Sequence, residues 1–251
     1  MFRITLILVL VACSTAFGQY VRQFEQYELI ASDGAENDRF GIKVSISGDY
    51  ALIGAYQDDD NGSNSGSAYI FHFDGSTWSE QAKLLASDGD INDNFGLTVC
   101  ISGDTAIVGA PNKDVSGENS GAAYIFRRVG VQWNEEAKLI PADGAATDSF
   151  GVRVSISGNH AIVGSYKDDN NSINSGSAYI YRFNGTNWLL ETKLRASDGD
   201  MNDHFGRAVA ITDTIAAVGA RLDDDLGEDS GSLYIFRYDG NQWNEEIKLQ
   251  A

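Results

Sequence analysis

A Phe-Gly pair stands at Phe40-Gly41, Phe95-Gly96, Phe150-Gly151 and Phe205-Gly206, and each copy lies 55 residues after the one before. A second glycine keeps the step at Gly54, Gly109, Gly164 and Gly219, and a tryptophan keeps it at Trp78, Trp133, Trp188 and Trp243. No copy has gained or lost a residue between these markers. A fixed period of this size marks a solenoid, propeller or array whose units bury their apolar faces against neighbours. The fold is therefore read per repeat.

From Phe40 onward Ile42, Val44 and Ile46 alternate with Lys43, Ser45 and Ser47, the period of two expected of a pleated strand. A tight turn at Ser47-Gly48-Asp49 leads to a second strand, Tyr50 to Ala55, a nearly continuous apolar run of the kind buried on both faces. The third strand is Ser67 to Phe73. Asp74-Gly75, Val129-Gly130, Asn184-Gly185 or Asp239-Gly240 then joins it to a fourth strand carrying the tryptophan and an E-x-x-K-L motif. Asp-Gly and Asn-Gly between apolar strands signal a hairpin, because a type I′ turn needs positive φ at both central residues. Each repeat thus holds four antiparallel strands, the content of one propeller blade. No stretch reads as an amphipathic helix.

The run of Phe-Gly, then V-x-I-S-G at Val44 to Gly48, A-I-V-G-A at Ala106 to Ala110 and G-A-A-Y-I-F at Gly121 to Phe126 is similar to FG-GAP repeats. These are the units of the β-propeller heads of integrin α chains and of many secreted bacterial proteins. The resemblance covers about residues 31 to 251. It implies an all-β propeller or an arc of one, with loops on one face of the ring presenting contacts to a protein or carbohydrate ligand. The shared residues are turn glycines and core positions, so the resemblance speaks to fold more than to function. Phe40, Tyr69, Phe71 and Trp78, repeated in every blade, read as packing between blades; the alternative is a sugar-stacking platform.

A segment like the fourth strand occurs a fifth time near Tyr27 to Ser32, which gives seventeen expected strands. One account is that the chain belongs to a longer propeller of about seven blades, as the integrin-like heads imply. The rival is a compact four-bladed ring with a spare strand.

Integrin-type repeats often carry an aspartate-rich calcium loop between the first and second strands. Here that place holds only short turns such as Ser47-Gly48-Asp49-Tyr50, so those calcium sites are not carried over. The acidic residues sit between the second and third strands: Asp58, Asp59 and Asp60, then Asp114, then Asp168 and Asp169, then Asp223, Asp224 and Asp225. Two or three carboxylates plus loop carbonyls supply the oxygens a Ca²⁺ ion wants, yet Gly62 falls one place early for an EF-hand and no glutamate closes the loop. The other reading is a turn in which aspartate accepts backbone N–H groups. The pairs Asp33 and Asp38, Asp88 and Asp93, Asp143 and Asp148, and Asp198 and Asp203, which precede each Phe-Gly, are read in the same two ways.

The chain has 18 basic and 36 acidic side chains and a net charge of −18, which argues against a nucleic-acid partner or an anionic membrane surface. Its first eighteen residues place Arg3 before an apolar run from Ile4 to Ala12, with Ala16 and Gly18 ahead of a cleavage point at Gln19. That is the pattern of a secretory signal, and the run is too short to span about 30 Å of bilayer. Leu10-Val11-Ala12-Cys13 alternatively resembles a lipobox that would lipidate Cys13. Either way the exported fold has Cys100 but no disulfide framework, and the counterparts Ser45, Ser155 and Ala210 mark Cys100 as a small packed residue.

The histidines, His72, His160 and His204, occupy different places in their repeats and are not expected to converge. No G-x-S-x-G, H-E-x-x-H or phosphate-cradling motif is present. The expectation is an exported, non-catalytic binding or adhesion scaffold at the cell surface or outside it. The alternatives are a carbohydrate-active enzyme, or an accessory module of one, and a calcium-stabilised structural repeat.

Overall fold

A computed structural model describes residues 27–169 and 172–250. The segment read as a signal peptide, with Cys13, lies outside the described residues. Sixteen strands follow in chain order. The first blade holds β1 (Val44–Ser47), β2 (Tyr50–Ala55), β3 (Ser67–Phe73) and β4 (Trp78–Leu84). The second holds β5 (Thr98–Ser102), β6 (Thr105–Ala110), β7 (Ala122–Val129) and β8 (Gln132–Leu139). The third holds β9 (Arg153–Ser157), β10 (His160–Ser165), β11 (Ser177–Phe183) and β12 (Trp188–Leu194). The fourth holds β13 (Phe205–Ile211), β14 (Ile215–Ala220), β15 (Ser232–Tyr238) and β16 (Trp243–Gln250). Each blade is a four-stranded antiparallel sheet paired in chain order, with no strand crossing over. The fold is all-β, four propeller blades in an open arc.

Two expectations about boundaries are corrected. Residues 27–32 form no strand. A fourth strand needs a third to pair with, as β4 pairs with β3, and the described residues offer this segment none. It is tied down by side chains instead: the Tyr27 hydroxyl donates to the Ser76 carbonyl at 2.5 Å, and the Ser32 backbone N–H donates to Glu80 at 2.8 Å. The first strand also begins at Val44 rather than Phe40. Positive φ at Arg39 and Gly41, and at their counterparts in each repeat, kinks the chain around the phenylalanine. Pairing starts beyond it in the first three blades, whereas in the fourth β13 begins at Phe205, which pairs with Ala220 across a register shift.

That kink sets one blade on the next. Phe95, Phe150 and Phe205 are fully buried, and each forms a parallel bridge to the preceding blade through Gly66, Gly121 and Gly176. Phe95 joins Leu52, Ala68 and Ile70 of the first blade to Tyr124 and Phe126 of the second in one cluster. The ring of Phe95 meets Tyr124 edge-on at 5.5 Å, and Phe150 meets Tyr179 at 5.3 Å. Burying each such ring stabilises the array by roughly 1.5–3 kcal/mol. Tyr69, Phe71 and their counterparts lie inside, as do Phe95, Phe150 and Phe205, which removes the sugar-platform reading for them; Phe40 is half-buried at the open end of the arc.

The outer strands carry a second link. In every blade a bulge in the fourth strand leaves one residue unpaired: Gln81, Glu136, Glu191 and Glu246. A bulge re-aims its side chain. Gln81, Glu136 and Glu191 accept the indole N–H of the next blade's tryptophan, Trp133 at 3.0 Å and Trp188 and Trp243 at 2.9 Å. Trp133→Phe, which keeps an aromatic ring but drops the donor and the pyrrole half of the indole, is expected to lower stability by at least about 1 kcal/mol, read as a shifted urea midpoint.

Innermost, β5 hydrogen-bonds to β1 through Ile101 N–H to Ser45 Oγ at 3.1 Å, and β13 to β9 through Ile211 N–H to Ser155 Oγ at 3.3 Å. Cys100 occupies the same place, its sulfur 3.9 Å from the Ile156 carbonyl. It is a small seam residue. The arc's ends stay open: Val44 and Ile46 are 46% and 44% exposed, whereas Val99 and Ile101 in the second blade are 7% and 4% exposed. Leu233, Ile247 and Leu249 are exposed at the other end.

Candidate functional site

The loop between the second and third strands of one blade meets the loop leading into the next blade. Asn92 N–H donates to the Ser63 carbonyl at 2.8 Å, and Phe95 N–H to the Ser65 carbonyl at 3.0 Å. All the acidic loops therefore lie on one face of the arc. Within them, neighbouring aspartates have separate fates.

Asp59, Asp114, Asp169 and Asp224 each accept the backbone N–H five residues on, from Asn64, Asn119, Asn174 and Asp229, at 2.6 to 2.7 Å. Those four donor residues all have positive φ, between 52° and 54°. This is the turn reading, in which a carboxylate satisfies donors that the tight loop leaves over.

Asp58, Asp168 and Asp223 instead point into their own blade and are buried. Tyr69, Tyr179 and Tyr234 donate their hydroxyls to them at 2.9, 2.7 and 2.9 Å. The lysine of the fourth strand donates as well, from E-x-x-K-L in the first and fourth blades and from Leu190-Glu191-Thr192-Lys193-Leu194 in the third: Lys83, Lys193 and Lys248 lie 3.0, 2.7 and 2.8 Å from the same three carboxylates. Each lysine also bridges to the entering loop, at Asp33, Asp143 and Asp198, over 2.7 to 2.8 Å. Asp60 and Asp225 complete the first and last clusters through the same ammonium. Burial pushes against ionisation of Asp33, Asp143 and Asp198, but the lysine and tyrosine hydrogen bonds outweigh it and hold these carboxyls below the ordinary range.

Close by sits the second aspartate of the entering loop. Asp38, Asp93, Asp148 and Asp203 are buried, and each accepts a backbone N–H three residues back. Burial raises all four carboxyls, Asp148 to about 6, and the facing Asp58, Asp168 or Asp223 adds repulsion in three of the blades. In the second blade position 58 is replaced by Lys113, whose ammonium lies 2.9 Å from Asp93 and 2.5 Å from the Asp88 carbonyl. Its other lysine, Lys138, pairs with Asp88 at 2.6 Å.

The nine aspartates singled out in the sequence therefore form four separate loop clusters. Asp58, Asp60, Asp168, Asp223 and Asp225 join lysine-centred groups, and Asp59, Asp114, Asp169 and Asp224 brace turns. Among the described residues no three His, Cys, Asp or Glu side chains make a metal-binding group by themselves. The lysines and tyrosines of the clusters were missed as site residues, although Lys83, Lys138, Lys193 and Lys248 recur with the same 55-residue step as the tryptophans.

The histidines stay apart. His72 stacks on Tyr50 at 4.6 Å, His160 is buried against Trp243 at 5.9 Å, and His204 meets Tyr166 at 5.0 Å. Burial pushes His160 and His204 below the ordinary imidazole range.

The loop face also carries apolar tips where the repeat is broken. Ile173 and Met201, 60% and 59% exposed, stand together at the seam of the third and fourth blades, where Asn202 N–H donates to the Ile173 carbonyl at 2.9 Å. Ser63, Glu118 and Glu228 occupy the place of Ile173 in the other repeats, and Glu36, Ile91 and Ala146 that of Met201. Among the described residues no helix is long and apolar enough to cross a membrane.

No curated protein matches the chain. The crystal structure of Saccharomyces cerevisiae Sqt1 is similar at 12% identity with a TM-score of 0.44, over 84% of this chain and 49% of that one, so this chain spans about half its length. The model of the FG-GAP repeat matches residues 24–71, 78–126, 133–181 and 188–236. The first match covers the first three strands of its blade, each later one runs from the fourth strand of one blade through the third strand of the next, and with four such matches the chain belongs to the FG-GAP repeat family.

Proposed function

We propose that this chain is an exported, non-catalytic binding scaffold that presents its loop face to a protein or carbohydrate ligand in adhesion. The observation that carries the reading is the Ile173 and Met201 pair. Scaffold positions repeat in every blade, whereas Ile173 stands where the other repeats have Ser63, Glu118 and Glu228, and Met201 where two of them have Glu36 and Ala146 and one the apolar Ile91; both side chains stand in water on the loop face. Loops held by a rigid frame are where recognition concentrates, and a protein interface is centred on a few apolar anchors. The acidic surface favours a ligand that is neutral or basic. Export is supported by the leader pattern of the sequence.

The test applies fluorescently labelled chain to a glycan array and to immobilised extracellular matrix proteins. Binding is expected to fall at least about tenfold in Ile173→Asp/Met201→Asp, with the melting temperature unchanged, since surface substitutions cost within about 0.5 kcal/mol. Binding that survives this double substitution removes the loop face as the recognition surface.

A further inference from the structure

We propose that the first, third and fourth blades each hold a hard divalent cation, Ca²⁺ above others, between Asp38 and Asp58, Asp148 and Asp168, and Asp203 and Asp223, and that Lys113 stands in for this cation in the second blade.

Three observations meet at these places. The first is a pair of buried hydroxyls with nothing to bond. Ser67 and Ser177 are fully buried, and the Oγ of each lacks a hydrogen-bond partner. Their counterpart in the fourth blade, Ser232, shows where this side chain points: its hydroxyl lies 3.0 Å from Oδ1 of Asp223. A buried hydroxyl left unsatisfied costs about 1–3 kcal/mol, so a fold that repeats one has a use for it.

The second is a set of linked exchanges in the second blade. There Asp58 becomes Lys113, Ser67 becomes Ala122 and Asp60 becomes Val115, all at one 55-residue step. The hydroxyl disappears from the one blade that brings its own cation. The Lys113 ammonium marks the spot, held by the carboxylate of Asp93 and the main-chain carbonyl of Asp88. The matching oxygens in the other blades belong to Asp38 and Asp33, Asp148 and Asp143, and Asp203 and Asp198.

The third is charge. In the second blade Asp88 and Asp93 face the ammonium groups of Lys113 and Lys138. In the first, Asp33, Asp38, Asp58 and Asp60 share Lys83 as their one cation among the described residues. In the fourth, Asp198, Asp203, Asp223 and Asp225 gather around Lys248 in the same way, and in the third Asp143, Asp148 and Asp168 gather around Lys193, with Asn170 at the place of Asp60. Buried charge without a counter-charge is costly, and a divalent ion removes most of the excess. Two carboxylates, a hydroxyl and a peptide carbonyl are all hard oxygen donors, the set that suits Ca²⁺ rather than a thiolate- or imidazole-seeking metal. The site lies on the opposite end of the strands from the turns joining first and second strands, where integrin-type calcium loops would sit.

The experiment titrates chelator-treated full chain with CaCl₂ by calorimetry, with NaCl and MgCl₂ as comparisons. About three Ca²⁺ per chain are expected, with dissociation constants on the order of 10⁻⁴ to 10⁻³ M. Lys113→Asp/Ala122→Ser should raise the stoichiometry to about four and make the chain more dependent on Ca²⁺ for its melting temperature. Asp168→Lys/Ser177→Ala, which copies the second blade into the third, should lower it to about two without lowering the melting temperature in chelator. Ser177→Ala alone removes only the unpartnered hydroxyl and keeps the proposal testable should a double variant fail to fold: it should weaken one of the sites several-fold. No heat up to about 10 mM CaCl₂ and no chelator effect on melting would overturn the proposal and leave the clusters hydrated by water alone. An unchanged stoichiometry in both double variants would overturn it equally.

Discussion

Gly109→Ala is expected to cost at least about 3 kcal/mol and to lower the melting midpoint by roughly 6–12 °C, while the same change at Gly219 costs under about 1 kcal/mol. The two glycines occupy one position in the repeat and differ in two respects: another blade packs over Gly109, and within its own blade the Thr98 methyl lies 2.5 Å from an added Cβ, where Gly219 has Ala208. Gly164, which faces Gly206 and has no such threonine, is therefore measured beside them. A Cβ on Gly109 would overlap the carbonyl oxygen of Gly151 in the next blade, and Gly54 and Gly164 face Gly96 and Gly206 in the same way. Backbone lies against backbone there, so no side chain can turn aside to make room. At Gly219 the nearest atom to an added Cβ is that of Ala208 at 3.2 Å, within its own blade, because no fifth blade covers it among the described residues. None of these positions has a positive φ, so the cost is one of space alone. Gly130→Ala serves as a control for the other kind of glycine: its φ is 64° with open space around it, and it should cost about 1 kcal/mol. Chemical unfolding of the variants gives the ranking. Equal losses at Gly109 and Gly219 would mean that the glycine serves its own sheet and not the seam.

That glycine shows how much the sequence disclosed. The 55-residue step, the strand alternation and the Asp-Gly and Asn-Gly turns were legible because each rests on local geometry that a residue type reports directly. The seam was legible too, since a glycine and a phenylalanine kept in every copy have packing as their common use. Residues 27–32 misled because their residues match a fourth strand, while strand formation depends on a partner that pattern cannot supply. Asp58 and Asp59 were inseparable for a related reason. They adjoin one another in an acidic loop, and only the folded loop shows that one turns inward to Lys83 and the other caps the Asn64 N–H. The lysine of the fourth strand was given no role from the sequence, because a strand residue at the outer edge of a blade ordinarily faces water. Its long stem instead carries the ammonium over the tyrosine ring, 4.9 Å from the ring centre at Lys193, into the loop cluster.

Lys193→Met is expected to be the most damaging single change in the third blade outside its seams, costing roughly 3–5 kcal/mol when measured in chelator-containing buffer. The ammonium is held at 2.7 Å by both Asp143 and Asp168, with the Lys193 side chain 12% exposed and that of Asp168 1% exposed. Methionine fills the stem's volume, so the loss comes from the charge: the buried Asp168 carboxyl would lose its counter-charge, with the Tyr179 hydroxyl and its local turn contacts left to offset it. The direction can be separated from a packing effect. Lys193→Met/Asp168→Leu removes both charges and should regain most of the loss, because a buried ion pair replaced as a unit by apolar side chains costs little. Arg237→Met supplies the opposite case. Its partner Glu246 lies 2.9 Å away, but the two side chains are 51% and 44% exposed, and solvent screening should keep the loss under about 1 kcal/mol. A Lys193 variant as mild as the Arg237 one would show that the loop cluster is solvated in solution. The lysine would then not be the element that joins the entering loop, the acidic loop and the outer strand of each blade.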